Sequence, residues 1–363
     1  MKYRDYLMTH LEYKYPNAKL LQSFNINFSN LKYLPKELIY KLKSKQIQLV
    51  IDLSQEGEID FIQQIYDVIK LFKIPPKQII FVCSSPDYKD EVLRIFRDEP
   101  ICLEWFMYFE LDQKRIFTSD IANNKLDYDY PNPLKSSTFD KVYLNLNRRW
   151  KSHREALITL LYDKKVLDKG YNSFSGKDFK IKFNEDISEK DDYASMYEDF
   201  NTQELRSIFQ RSKELKNLFP LTLDTSNFYQ PLALTTQRSL VKFYQTSYFS
   251  VITETLYNYP IRFLTEKIFR PISHKHPFIL LAPPKSLELL KQLGYKTFNT
   301  VIDESYDNEL DHNKRIMMVA NEIERLCNLT NTELNYYRES LIPIVEHNYK
   351  NLMNRPQQYR TLI

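Results

Sequence analysis

The run Asn147-Arg148-Arg149-Trp150-Lys151-Ser152-His153-Arg154-Glu155 gathers cations, an indole and an imidazole at one point of the chain. Ser152-x-x-Glu155 has the spacing of a capping box and predicts a helix beginning at His153. Arg148, Arg149 and Lys151 would then precede a helix N-terminus, with Arg154 in its first turn. Cations at the positive end of a helix dipole cost about a few tenths of a kcal/mol each. An anion bound there is the simplest reason for such a sequence. First-turn N–H groups and arginine side chains together can cradle a diphosphate without a glycine-rich loop. Two other readings stay open: a solvated basic helix start, and phosphate contacts to a nucleic acid with Trp150 stacked on a base.

A second cluster follows the apolar run that ends Ile252-Thr253-Glu254-Thr255. Thr265 has the chemistry of an N-cap, and Glu266 in the first turn suits both the dipole and a pair of ribose hydroxyls. Lys267 can meet a phosphate as a point charge. The same three residues also fit a capped surface helix. A third cluster, Asp303-Glu304-Ser305-Tyr306-Asp307 with His312 nearby, has no two histidines at zinc-ligand spacing, so no metal site is expected. His274 and His276 read as a partly exposed turn, and Ile316-Met317-Met318 as part of a core stripe.

These side chains need a scaffold. IQLVIDLS, EIDFIQQIYDVIKLFKI and QIIFVCSS read as strand, helix and strand, a βαβ unit that implies a parallel sheet. Ligands of such sheets bind beyond the strand C-termini. That gives the loop Asp52-Leu53-Ser54-Gln55-Glu56-Gly57 a prime position. ICLEWFMYFEL reads as a further strand region, and the polar stretch from Ala122 to Thr138 as a linker. Beyond it, FDKVYLNLN, YFSVITET and HPFILLAPP read as strands. EALITLLYDKKVLDK reads as an amphipathic helix closed by Gly170 as its C′ residue, TEKIFRPI as a helix start, and KSLELLKQLG as a helix ended by Gly294. A short helix is expected near Glu204–Leu215. Asn308 to Met353 reads as two helices, the second opened by the Thr330-x-x-Glu333 capping box. The expected division is residues 1–135, 136–320 and a helical extension at 321–363.

Composition narrows the function classes. The 363 residues are 43% hydrophobic and 27% charged, which excludes a disordered or collagen-like chain. Lys and Arg total 51 against 47 Asp and Glu, a net charge of +4, too small to demand an anionic partner. Only 4 glycines are present, so a glycine-rich phosphate loop is excluded. Cys83, Cys102 and Cys327 are far apart and form no CxxC, which argues against a disulfide framework and fits a reducing compartment. The N-terminus lacks the apolar stretch of a signal peptide, and no apolar run nears the ~18 residues needed to span a bilayer. The expectation is a cytoplasmic protein with no membrane partner.

Two ordered blocks carry a resemblance. Leu146-Asn147 through Arg154, followed by Val166-Leu167-Asp168-Lys169-Gly170, and then Glu254 and Phe263-Leu264-Thr265-Glu266-Lys267, resemble the nucleotide-binding domain of α1,3-fucosyltransferases over roughly residues 140–300. The chain is also similar to glycosyltransferase-like proteins of tailed bacteriophages, in the segments around Asn147–Arg154, Phe263–Lys267, Leu293–Phe298 and Asp303–Asp307. For a viral protein the compartment would be the host cytoplasm.

The resemblance implies an α/β, GT-B-type fold of two Rossmann-like domains facing across a cleft, with C-terminal helices. It implies a donor nucleotide sugar on the C-terminal domain, a carbohydrate or other hydroxyl acceptor on the N-terminal domain, and no cofactor. By match, Arg154 would hold the diphosphate, and Glu266 and Lys267 the ribose and phosphate. Asn147, Arg148, Arg149, Lys151, Glu254 and Thr265 complete the expected donor set. The family's base is a carboxylate of the N-terminal domain; Glu56 is the first candidate here and Asp52 the second. Leu146, Thr255 and Phe263 stand where the family has Ser, Asn and Tyr, so the likeness implies a nucleotide sugar rather than GDP-fucose in particular. The expected function is metal-independent, inverting glycosyl transfer. The rivals are a non-catalytic or virion-associated protein that keeps the fold, and a phage DNA-base glycosyltransferase with DNA as acceptor.

Overall fold

The computed structural model describes residues 11–21 except 12, 35–55, 60–97, 99–123, 132–135, 139–147, 150–174, 215, 218, 219, 221, 223, 237–354 and 360–361. The chain is α/β and divides into two compact units. Unit 1 holds residues 1–112, 260–264 and 356–363, and unit 2 holds 113–259 and 265–355.

Unit 1 runs β1 (Ala18–Leu21), α1 (Lys36–Lys43), β2 (Gln48–Leu53), α2 (Asp60–Phe72), β3 (Ile79–Cys83), α3 (Tyr88–Phe96) and β4 (Cys102–Trp105). These four strands pair in parallel in chain order, and β9 (Arg360–Thr361) adds antiparallel to β4. Every residue of β3 and all but the first of β2 is buried, as continuous apolar runs require when both sheet faces are covered. Helix α2 buries Ile62, Ile65, Val68 and Ile69, one stripe at helical spacing. Arg262, from the returning segment, makes a two-pronged ion pair with Asp87, with Nη2 2.5 Å from Oδ1 and Nε 2.9 Å from Oδ2.

Helix α4 (Tyr108–Ala122) crosses the division at 112/113. It replaces the second half of the expected strand region. Its buried positions are Gln113, Phe117 and Asp120, so the helical stripe is largely polar and leaves no apolar periodicity to read.

Unit 2 runs β5 (Lys141–Leu146), α5 (Ser152–Asp163), β6 (Gly170–Ser173), α6 (Gln237–Gln245), β7 (Ser247–Thr253), α7 (Glu266–Ser273), β8 (Phe278–Leu281), α8 (Ser286–Gln292), α9 (His312–Cys327) and α10 (Asn331–Asn354). Its strands are all parallel in the order β6-β5-β7-β8. The order reverses beside β5, because the chain goes first to one neighbour, β6, and then to the other, β7. Helix α9 packs on α5 and α10 on α7, so residues up to 355 belong to this unit rather than to a separate extension. The division between the units also lies inside α4, upstream of the expected linker. The helix expected near Glu204–Leu215 falls outside the described residues except for Leu215.

Helix α5 is not amphipathic: His153 through Leu161 are all buried, and the helix packs on α9. It ends in a Schellman motif whose left-handed residue is Lys165 (φ 59), with Val166 N–H bonded to Leu161 O at 3.0 Å. Gly170 is therefore not the C′ residue. It opens β6 with an extended φ of −114 and lies against the Tyr143 ring, where a Cβ would come within 2.2 Å of Cε2 and Cζ. Gly294 (φ 82) does close α8, and Thr330 and Glu333 form the expected capping box. The three cysteines are free. Among the described residues no helix is long and apolar enough to cross a membrane.

Candidate functional site

The parallel strands of unit 2 all deliver their C-termini to one edge. Where the strand order reverses, neighbouring loops splay apart and leave a crevice for ligands. In this unit that point lies beyond β5 and β7. The segment Asn147–Glu155 leaves β5 and the segment Glu254–Lys267 follows β7, so the two sequence clusters meet there.

Asn147 is buried; its Nδ2 donates to Asn145 Oδ1 at 2.7 Å and its Oδ1 accepts from Thr253 Oγ1, which links the ends of β5 and β7. Arg148 and Arg149 lie outside the described residues. Lys151 is the N-cap residue of α5, half-buried and with no side-chain cap bond. Ser152, expected as the N-cap, is already the first helical residue of α5, and Glu155 accepts from Trp150 Nε1. Trp150 is itself buried, so it is a core side chain and not a stacking platform for a base.

Arg154 is 4% exposed, and its Nη2 donates to Thr253 O at 3.3 Å and Glu254 O at 3.4 Å. His153 Nε2 lies 2.9 Å from the same Glu254 carbonyl. A carbonyl only accepts, so Nε2 carries the proton. Burial first, and the Arg154 charge second, hold the His153 pKa well below the usual histidine value, so the ring is neutral.

Glu254 is fully buried, and both of its carboxylate oxygens serve Thr265: Oε1 accepts from the backbone N–H at 2.9 Å and Oε2 from Oγ1 at 2.6 Å. Burial pushes its pKa up, opposed by the Lys267 charge and the Thr265 hydrogen bonds. Its place at the N-terminus of α7 is favourable for a carboxylate. Thr265 caps α7 as expected, accepting from Lys267 N–H at 3.4 Å. Lys267 Nζ donates to Thr255 Oγ1 at 3.1 Å, Thr265 Oγ1 at 3.0 Å and Glu266 Oε1 at 3.0 Å. Burial acts to raise the Glu266 pKa, but the Lys267 and Arg270 charges outweigh it and hold that carboxyl below its usual range. The Lys267 side chain keeps 23% of its surface exposed and that of Glu266 29%, so this ion pair reaches solvent while Arg154 lies beneath.

The unit 1 candidates stand differently. Asp52 is buried at the end of β2, where Oδ1 accepts from Ser54 N at 2.9 Å and Ser54 Oγ at 2.6 Å, an Asx-type turn. Glu56 lies outside the described residues. Among the described strands of this sheet the order is sequential, with no reversal at β2.

In the third cluster each carboxylate serves the backbone. Glu304 accepts from Phe298 N at 2.6 Å, Asp307 from Leu287 N at 3.0 Å and Asp303 from Ser305 N at 2.9 Å. No metal-holding group occurs among the described residues. His274 and His276 are not a partly exposed turn. Both are buried; His274 stacks on Tyr244 with centroids 4.3 Å apart, and His276 Nδ1 lies 2.8 Å from Ser250 Oγ. Imidazoles tolerate such burial when they stay neutral, and burial lowers the pKa of both.

Thr253, Tyr257 and Arg315 also belong to this cluster, and sequence reading passed over them. Arg315 offered one signal: with Val319, Glu322 and Leu326 it shares the buried face of α9. The chain matches no protein-family model and no curated protein.

Proposed function

We propose that the protein is a GT-B-type glycosyltransferase that moves a sugar from a nucleotide-diphosphate donor to an acceptor hydroxyl without a metal. One observation carries this reading. Asn147, Arg154, Glu254, Thr265, Glu266 and Lys267, distant in the chain, form one hydrogen-bonded cluster where the strand order of unit 2 reverses. Two helix N-termini, of α5 and α7, converge there with Lys267 at the surface and Arg154 beneath, a suitable setting for a diphosphate.

In this reading the donor lies on unit 2, with Lys267 on a phosphate and Glu266 on ribose hydroxyls. The acceptor is assigned to unit 1, with Glu56 or Asp52 as the base. The acceptor hydroxyl gives its proton to that carboxylate, and its oxygen bonds to the anomeric carbon as the bond to the diphosphate oxygen breaks. The electron pair leaves with the diphosphate, and the fixed cations and helix termini stabilise its charge. Attack opposite the leaving group inverts the anomeric centre.

The test is thermal unfolding with GDP, UDP, CDP and dTDP, for the wild type and Lys267→Ala. A ligand at 100 times its Kd stabilises by about 2.7 kcal/mol, which is several degrees for a unit of this size. The expected result is a shift with one nucleotide that Lys267→Ala abolishes. No shift with any of the four overturns the donor site and favours a non-catalytic protein.

A further inference from the structure

The chain between β7 and α7, residues 254–265, carries two of the candidate donor-site residues, Glu254 and Thr265, and leads directly into two more, Glu266 and Lys267, yet contains no helix or strand. Something else must hold it still. Glu254 and Thr265 tie its two ends together. The turn around Tyr257 is held from α9. There Arg315, only 2% exposed, donates through Nη1 to Glu309 O at 2.7 Å and through Nη2 to Tyr257 O at 3.1 Å. Its guanidinium carbon also lies 4.6 Å from the centre of the Tyr257 ring. The Tyr257 hydroxyl donates to His312 O, so ring and backbone are both fixed. The His153 ring stacks on Tyr257 with centroids 5.3 Å apart, and its Nε2 reaches Glu254 O, the carbonyl that Arg154 also engages.

We infer that Arg315 is a positioning residue of the candidate site, a clamp that sets the Glu254–Tyr257 turn and through it His153 and Arg154. The inference rests on the donor-site reading for its functional consequence. The residue type supports it. A buried arginine is a poor choice for filling a core, because its charge must be taken out of water. In this place its hydrogen bonds go to backbone carbonyls and its face to an aromatic ring. What arginine supplies that an apolar residue or a lysine does not is a planar fork, able to hold two carbonyls and lie over a ring at once. That is a directional hold on a loop without secondary structure.

The experiment uses the full chain and the conservative Arg315→Lys, with Arg325→Lys on the same helix as control. Amide hydrogen exchange is read across residues 254–258 and across β8. Nucleoside diphosphate affinity is read by calorimetry. The expected result for Arg315→Lys is a folded protein whose 254–258 amides exchange about tenfold faster or more, with β8 unchanged. Affinity for the nucleotide bound by the wild type should fall about tenfold or more, while Arg325→Lys changes neither. Unchanged exchange at 254–258 overturns the clamp. Faster exchange with unchanged affinity overturns its role in the site. A wild type that binds none of the nucleotides defeats the donor-site reading, and the exchange measurement still decides the clamp. Should Arg315→Lys not fold, Tyr257→Leu removes the same stack; unchanged exchange in that variant likewise overturns the inference.

Discussion

Gly170→Ala tests why a chain with so few glycines keeps one at the start of β6. The backbone there is extended (φ −114), so alanine meets no conformational barrier. Its Cβ, however, would lie 2.2 Å from Cε2 and Cζ of Tyr143 and 2.6 Å from Cδ2. Carbon atoms in contact sit ~3.5–4.0 Å apart, so the ring must retreat by about 1.3 Å or more. It has little room, since Tyr143 is fully buried, donates to Val166 O at 3.2 Å and accepts from Asn172 Nδ2 at 3.3 Å. Overpacking costs about 1–3 kcal/mol and a weakened hydrogen bond about 1 kcal/mol more. Replacing a strand glycine by alanine returns roughly 0.5–1 kcal/mol through chain entropy. The expected net destabilisation is about 1–3 kcal/mol. Urea unfolding followed by Trp150 fluorescence, in a Trp105→Phe background, reports unit 2. In a Tyr143→Leu background the same substitution should be close to neutral. An equal cost in both backgrounds, or none in either, refutes the steric account.

Two further predictions concern buried histidines and helix ends. Burial holds His276 at about 4, and His153 and His274 well below the ordinary value of about 6.5. The unfolded chain therefore takes up protons first as pH falls, and stability is lost from about pH 6.5 down toward 4. His276 alone contributes about 3 kcal/mol over that window, while Glu254, whose pKa is raised, titrates in the opposite sense. Urea unfolding at pH 7 and 5 should show the loss, reduced in His276→Asn; stability flat across the window refutes it. At Lys165, exposed and left-handed at φ 59, Lys165→Gly should stabilise by about 0.5–1 kcal/mol, whereas Lys164→Gly at φ −74 should destabilise. Melting temperatures moving the other way would refute that assignment.

Much of the fold was legible because period and composition are local signals. The apolar runs at 48–53, 79–83, 247–253 and 278–281 are strands, and α2, α7, α8, α9 and α10 lie where helical spacing, caps and breakers put them. Helix α4 was not legible, since its buried stripe is made of Gln113 and Asp120 around Phe117. The short strands β1 and β6 are too brief for alternation to register. In the candidate site, Thr265 as a cap and the pairing of Glu266 with Lys267 follow from adjacency. The capping box read at Ser152 misplaced the start of α5 by one residue, since Ser152 is already helical and Lys151 takes the N-cap position.

By itself the sequence determined the residue types: two cation-bearing segments, each placed between an apolar strand run and a helix start. Covalent order and hydropathy suffice for that. Only the tertiary structure decided that both segments end at the same reversal of strand order, because parallel pairing of β5 with β7 brings together residues about a hundred positions apart. It also decided burial. Arg154 and Lys267 look alike as cations in the sequence, yet one is sunk against the carbonyls of β7 and the other reaches solvent. Which cation a ligand can meet depends on what packs over it, and packing is a property of the fold rather than of any local run.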